Sequence, residues 1–194
     1  MIGWYDIRGY FILLLSYRVG LLSLVRFFKW NVSNKHLEVA IGSGVFARLT
    51  HPMGREILGL DTDAKMMQRL NKSPRFRVRA CSVVNMNWPS WTFDTINVAN
   101  AFHCFDNPKL ALKEMRRVLR TSGIVSMNVL MTPRPGSIAD RVNQWGKRKG
   151  ILSRTYIRRD IIRMVHDAGF EVVYEYRKGN NLNLRLIKSR LGPG

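Results

Sequence analysis

His36-Leu-Glu-Val-Ala-Ile-Gly-Ser-Gly44, followed by a second apolar run, Ile57-Leu-Gly-Leu-Asp61, decides the fold. The first stretch reads as a short buried strand with an acid inside it, ending in a Gly-x-Gly turn that opens a helix. The second reads as a strand closing on an acid. Strand, glycine turn, helix and acid-tipped strand make one βαβ half of a nucleotide-binding sheet. Glycines let a ligand approach the backbone, and free N–H groups at the helix start face it. An acid at the tip of the next strand is placed to accept from both hydroxyls of a ribose.

The pattern continues outward as alternating strands and helices. Residues 36–41 and 56–61 are strands, with a short helix at 45–51 stopped by Pro52 and Gly54. A helix at 63–71 follows, capped by Thr62 or Asp63, with Met66, Met67 and Leu70 on one face. Residues 75–80 alternate Phe76 and Val78 with arginines, as an edge strand would. Strands are expected at 93–99 and 123–130. Between them, 108–120 is an amphipathic helix with Pro108 at its start and a stop at Thr121-Ser122-Gly123. Residues 131–152 are irregular apart from a short helix around 138–145. A helix at 156–168, capped by Ser153, leads into strands at 170–177 and 182–188 around Gly179-Asn180-Asn181, a hairpin signal. The fold class is therefore α/β, a doubly wound sheet with a terminal antiparallel hairpin.

With 194 residues, the chain is expected to be one domain with a real core. The formal charge of +19 favours anionic partners: nucleic acid, acidic lipid headgroups or an acidic protein. Cys81 and Cys104 make neither a disulfide framework nor metal-ligand spacing, which points to a reducing, cytoplasmic setting. No metal site is expected.

Residues 5–30 are the most hydrophobic part, spaced for one or two helices. A membrane span wants about 20 apolar residues, and Arg18 would sit near its middle at a cost of roughly 3 kcal/mol. Two readings stand ahead of a span. One is a helical cap that packs on its own domain. The other is an interfacial segment, with Arg18, Arg26 and Lys29 reaching acidic headgroups. The organisation expected is a cap or membrane-contact segment at 1–34 and the main domain at 35–194, with an acceptor-side insertion at 131–152.

These residues resemble the class I S-adenosylmethionine-dependent methyltransferases of the small-molecule type. Glu38, Gly42 and Gly44 match the acid and alternate glycines of the family's first motif, with Ala40 where a glycine is usual. Asp61 matches the ribose acid. Trp88–Asp94, Leu112–Gly123 and Asp167-Ala-Gly-Phe170 look like the run into strand four, the helix and turn before strand five, and the late helix-to-strand step. The resemblance implies a Rossmann-like, seven-stranded, mostly parallel sheet with N-terminal helices, and S-adenosyl-L-methionine as cofactor. It implies that Asp61 and Thr62 lie at the ribose, and that Ala40, Gly42, Ser43 and Gly44 lie along the methionine part. Glu38 would orient that loop or the cofactor's amino group, Ser82 and Val83 would meet the adenine, and Asn100 would line the methionine side. Ser82 stands where the family usually has an acid.

His103, just past strand four, is the candidate general base. The apolar and basic character of 5–30 and 131–152 suits a lipophilic or amphiphilic acceptor, with peripheral membrane contact through 5–30. Nucleic acid is the second choice, since Arg134, Arg141, Lys147, Arg148 and Lys149 with Trp145 could follow a phosphate backbone and stack a base. A degenerate, non-catalytic binding protein is a third reading.

Overall fold

A computed structural model describes residues 20–150 and 152–190. The expected helices within 1–19 lie outside the described residues. The element order is α1 (Leu21–Lys29), β1 (His36–Val39), α2 (Val45–Thr50), β2 (Ile57–Asp61), α3 (Ala64–Leu70), β3 (Phe76–Ala80) and β4 (Phe93–Val98). A 3-10 turn (Phe102–Cys104), α4 (Pro108–Val118), β5 (Leu119–Leu130), α5 (Ile138–Arg148), α6 (Arg158–Asp167), β6 (Phe170–Lys178) and β7 (Asn181–Lys188) follow.

The seven strands form one sheet in the order β3-β2-β1-β4-β5-β7-β6. β3 through β5 are parallel, and β7 runs antiparallel to both β5 and β6. The strand order reverses between β1 and β4, and in open α/β sheets the carboxyl ends of the strands at such a reversal are where ligands bind. β1 is buried along its whole length, as a central parallel strand must be. Its side chains alternate: Leu37 and Val39 join the main core, so His36 and Glu38 take the other face.

Local signals account for most of the helices. Asp63, not Thr62, caps α3 by accepting from Met66 N at 2.9 Å. Asn107 caps α4 at Leu110 N, Pro108 occupies the first turn, and Ala111, Leu112, Met115 and Val118 are buried. Ser137 caps α5 at Asp140 N, and α5 runs to Arg148, beyond the expected end at 145.

Two expectations are corrected. Helix α4 stops at Val118, before the Thr-Ser-Gly turn. Leu119 is already extended (ψ 141°) and pairs with Phe93, so β5 begins four residues early. Ser153 does not cap α6. Tyr156 instead forms a parallel bridge with Met131 and bonds to Leu130 and Thr132, which draws this segment along the end of β5. Helix α6 starts after Ile157, which makes no side-chain cap bond.

Helix α1 packs on the domain. Leu24 and Phe28 are buried against Leu130 and Leu152, with Phe27, Phe46 and Ala99 alongside. Full burial of such a side chain contributes about 1.5–3 kcal/mol. Leu22 and Trp30, on its outer side, are 74% and 76% exposed. Among the described residues, no helix is long and apolar enough to cross a membrane.

Candidate functional site

The carboxyl edges of β1 to β4 bring the expected residues together. β1 ends at Val39, and the chain turns through Ala40 (φ 53°), Gly42 (φ 54°) and Gly44 (φ 73°), all left-handed. Ile41 N bonds back to Leu60 O at 3.0 Å, which holds the turn over β2. Gly44 has a second reason to be glycine: a Cβ there would meet the Phe76 ring at 2.9 Å. Ala40 is a different matter. Its methyl is tolerable only if the backbone avoids positive φ, and the backbone does not. A non-glycine residue here costs about 1–2 kcal/mol.

Asp61 closes β2, half-buried. Its Oδ2 accepts from Gly42 N at 2.9 Å, and its Oδ1 accepts from Asp63 N at 3.2 Å. One carboxylate thus ties the glycine turn to the start of α3. Thr62, beside it, is exposed. Ser82 lies just beyond β3. Cys81 N bonds to Asp61 O at 3.0 Å, so Ser82 stands next to the Asp61 tip. The Ser82 hydroxyl accepts from Val84 N at 3.3 Å, and Val83 is buried beside it.

Across the reversal, Asn100 follows β4 in a left-handed conformation (φ 56°). A chain of asparagines fixes it. Asn100 N donates to Asn128 Oδ1 at 2.7 Å, and Asn128 Nδ2 donates to Asn100 Oδ1 and to Asn181 Oδ1. Asn181 Nδ2 donates to Asn183 Oδ1, whose own amide reaches Tyr176 O. Sequence reasoning missed this ladder. Asn128, Asn181 and Asn183 stand on β5 and β7, and only the register of that pair brings them together.

Glu38 is placed differently from a residue facing a ligand. Its Oε1 takes a bond from Asn97 Nδ2 at 3.0 Å and lies 3.1 Å from His36 Nε2, beneath the turn. His103 sits in the 3-10 turn after Asn100. It is buried, and burial pushes its imidazole down to about 4. His103 is therefore neutral at pH 7 but a weak base. An open hollow lined by Asn34, Lys35, Trp91 and Arg120 lies at the opposite, amino-terminal edge of the strands, away from these groups.

The residues present suit S-adenosylmethionine. A carboxylate with two acceptor oxygens matches a ribose diol, the left-handed turn exposes backbone to the ligand, and Ser82 offers adenine a hydroxyl. Asp61, Ser82, Asn100 and the 40–44 turn are the residues that would hold it. When bound, that cofactor supplies an electrophilic methyl group on a sulfonium.

Comparison with known proteins agrees with this fold. The methyltransferase-domain family model matches residues 37–127. A demethylmenaquinone methyltransferase of Thermotoga maritima is 34% identical over 104 residues, covering 51% of this chain and 44% of that protein. The chain spans less than half the length of the curated relatives it matches. Among solved structures, a T. maritima enzyme named a possible histamine N-methyltransferase superposes with a TM-score of 0.71 at 21% identity, covering 95% of this chain and 97% of that one. The methyltransferase bound to the Trm112 activator of Haloferax volcanii gives 0.72 at 16% identity, covering 96% of each chain. The family match over residues 37–127, with the sheet order shared with these structures and the motif at Glu38–Gly44 and Asp61, supports a class I S-adenosylmethionine-dependent methyltransferase domain.

Proposed function

We propose that this chain transfers a methyl group from S-adenosylmethionine to a lipophilic or amphiphilic small molecule, at the cytoplasmic face of a membrane. The observation that carries the acceptor half is the apolar wall made by α1. Leu24 and Phe28 meet Phe46 at the start of α2, Ala99 at the end of β4 and Leu130 at the end of β5. Phe27, Phe46 and Ala99 stay half-buried at this seam, and Phe46 and Ala99 border the cofactor edge of the sheet, so they are the apolar side chains an acceptor would meet there. The T. maritima relative, named for demethylmenaquinone, is in keeping with an acceptor of that kind.

The work left to the protein is positioning. Asp61 and the 40–44 turn orient one partner, and the α1 wall orients the other. Proximity of this sort can supply about 7–11 kcal/mol of the barrier. Where the acceptor arrives protonated, His103 is the group we assign to proton removal. Its neutral state at pH 7 permits that step, and its low basicity favours an acidic acceptor proton.

A second reading rests on α5. Arg141, Trp145, Lys147, Arg148 and Lys149 are all exposed on one helix and its end, with Arg134 exposed just before it. That surface suits an RNA backbone. Labelled methyl transfer into lipid and RNA extracts, side by side, separates the two. Label in the lipid fraction supports the first reading, and label confined to RNA replaces it with the second. If calorimetry detects no S-adenosylmethionine binding at millimolar ligand, both fail.

A further inference from the structure

Beneath the glycine turn, on the face of β1 turned away from the main core, lies a buried group of three side chains to which the proposed methyl transfer gives no chemical step. Strand alternation puts His36 and Glu38 on that face, and the end of α2 delivers His51 to them. Their exposures are 4%, 3% and 5%. Glu38 Oε1 lies 3.1 Å from His36 Nε2 and 3.6 Å from His51 Nδ1. One ligand atom from each of the three lies within 4.8 Å of the other two.

We propose that His36, Glu38 and His51 form a zinc site that fastens β1 to α2 under the cofactor turn. Donors about 2.1 Å from a tetrahedral zinc lie about 3.4 Å apart, and the two separations to Glu38 bracket that value. The second shell is present. His36 Nδ1 lies 2.7 Å from Thr95 Oγ1, which fixes the ring and leaves Nε2 to coordinate. Asn97 Nδ2 steadies the Glu38 carboxylate. His51 coordinates through Nδ1, exchanging its 2.9 Å contact with Ala47 O for the metal. Three protein donors leave a fourth tetrahedral position.

Charge balance points the same way. A buried carboxylate is costly unless paired. Among the described residues, the ion pairs recorded for Glu38 are to these two histidines, with no lysine or arginine. Arg75 Nη2 donates to the carbonyls of His51 and Pro52 instead. A divalent ion would meet that demand, and a proton on one imidazole is the competing answer.

The test uses the full chain with Cys81 and Cys104 changed to serine, so that thiols cannot bind the probe. The chelator-treated protein is titrated with Zn²⁺ and, separately, with Co²⁺. We expect one equivalent of each, a tetrahedral Co²⁺ absorption spectrum, and a higher Tm with zinc than with the same concentration of Mg²⁺. His51→Gln and His36→Gln should abolish stoichiometric binding. Thr95→Val should keep one equivalent but weaken it by about 10–100-fold. His166→Gln, a change outside the group, should leave it intact. The proposal is overturned if the parent takes up no stoichiometric metal, or if His51→Gln binds zinc as the parent does. Should the glutamine variants fail to fold, the parent's stoichiometry and the Thr95→Val affinity still decide it. Metal content is read without an activity assay, so this result is independent of whether methyl transfer is found.

Discussion

The Asp61 carboxylate is bonded to the backbone of Gly42, 2.9 Å away, so the residue that would take the ribose also sets the turn that would take the methionine. Asp61→Asn keeps the shape and removes the charge. Charge-assisted hydrogen bonds contribute about 1.5–3 kcal/mol, so S-adenosylmethionine affinity should fall about 10–100-fold by calorimetry. An unchanged affinity would dismiss Asp61 as a cofactor residue.

Ser82 stands beside Asp61 without a charge of its own. Ser82→Asp would give the adenine amine an ionised acceptor, and such bonds are roughly twice as strong as neutral ones. Tighter cofactor binding, measured in the same titration, is the expected outcome. No gain would mean that adenine lies elsewhere.

Ala40 occupies a left-handed backbone position that glycine fills without strain. Ala40→Gly should therefore stabilise the fold by about 1 kcal/mol, despite the added freedom of the unfolded chain. Urea unfolding gives the midpoint. A loss of stability would show that the methyl makes a packing contribution larger than the strain.

Burial lowers the His103 pKa from 6.5 to about 4. Between those values the unfolded chain binds a proton that the folded chain refuses. Stability is full above pH 6.5 and falls as the pH drops toward 4, by about 3 kcal/mol for this group. His103→Gln should remove the His103 part of the slope, and the difference between the two pH profiles isolates it.

Asn128 holds both the Asn100 backbone and the Asn181 side chain. Asn128→Ala leaves buried partners unsatisfied, each at about 1–3 kcal/mol. A fall in Tm is expected, together with weaker cofactor binding as the Asn100 loop loosens. A fall in Tm alone would confine the ladder to structure.

The order of strands and helices was legible because each element carries its own period, and because Asp63, Asn107 and Pro108 announce helix starts locally. The start of α5 near 138 was legible as well, while the prolines and glycines around it hid that the helix runs on to Arg148. The early start of β5 was not readable. Leu119 fits an amphipathic helix as well as a strand, and only its partner Phe93, far off in sequence, decides between them. The candidate site divides in the same way. Gly42, Gly44 and Asp61 follow from local spacing, whereas the Asn100–Asn183 ladder and the meeting of His51 with Glu38 depend on packing between distant segments. His36-x-Glu38 was half of that meeting in plain view, since alternate residues on a strand share a face.

The guanidinium of Arg185 lies 4.5 Å from the Trp30 ring and 5.1 Å from the rings of Phe27 and Tyr174, and it donates to Phe27 O. It therefore joins α1 to β7, across a sequence separation of 158 residues. During synthesis α1 emerges long before residue 185 exists, with Phe27 and Trp30 lacking the strand that will hold them. In that interval an apolar, basic helix is left to whatever surface is near, a membrane or a chaperone, and its clasp closes only when the ribosome has delivered β7.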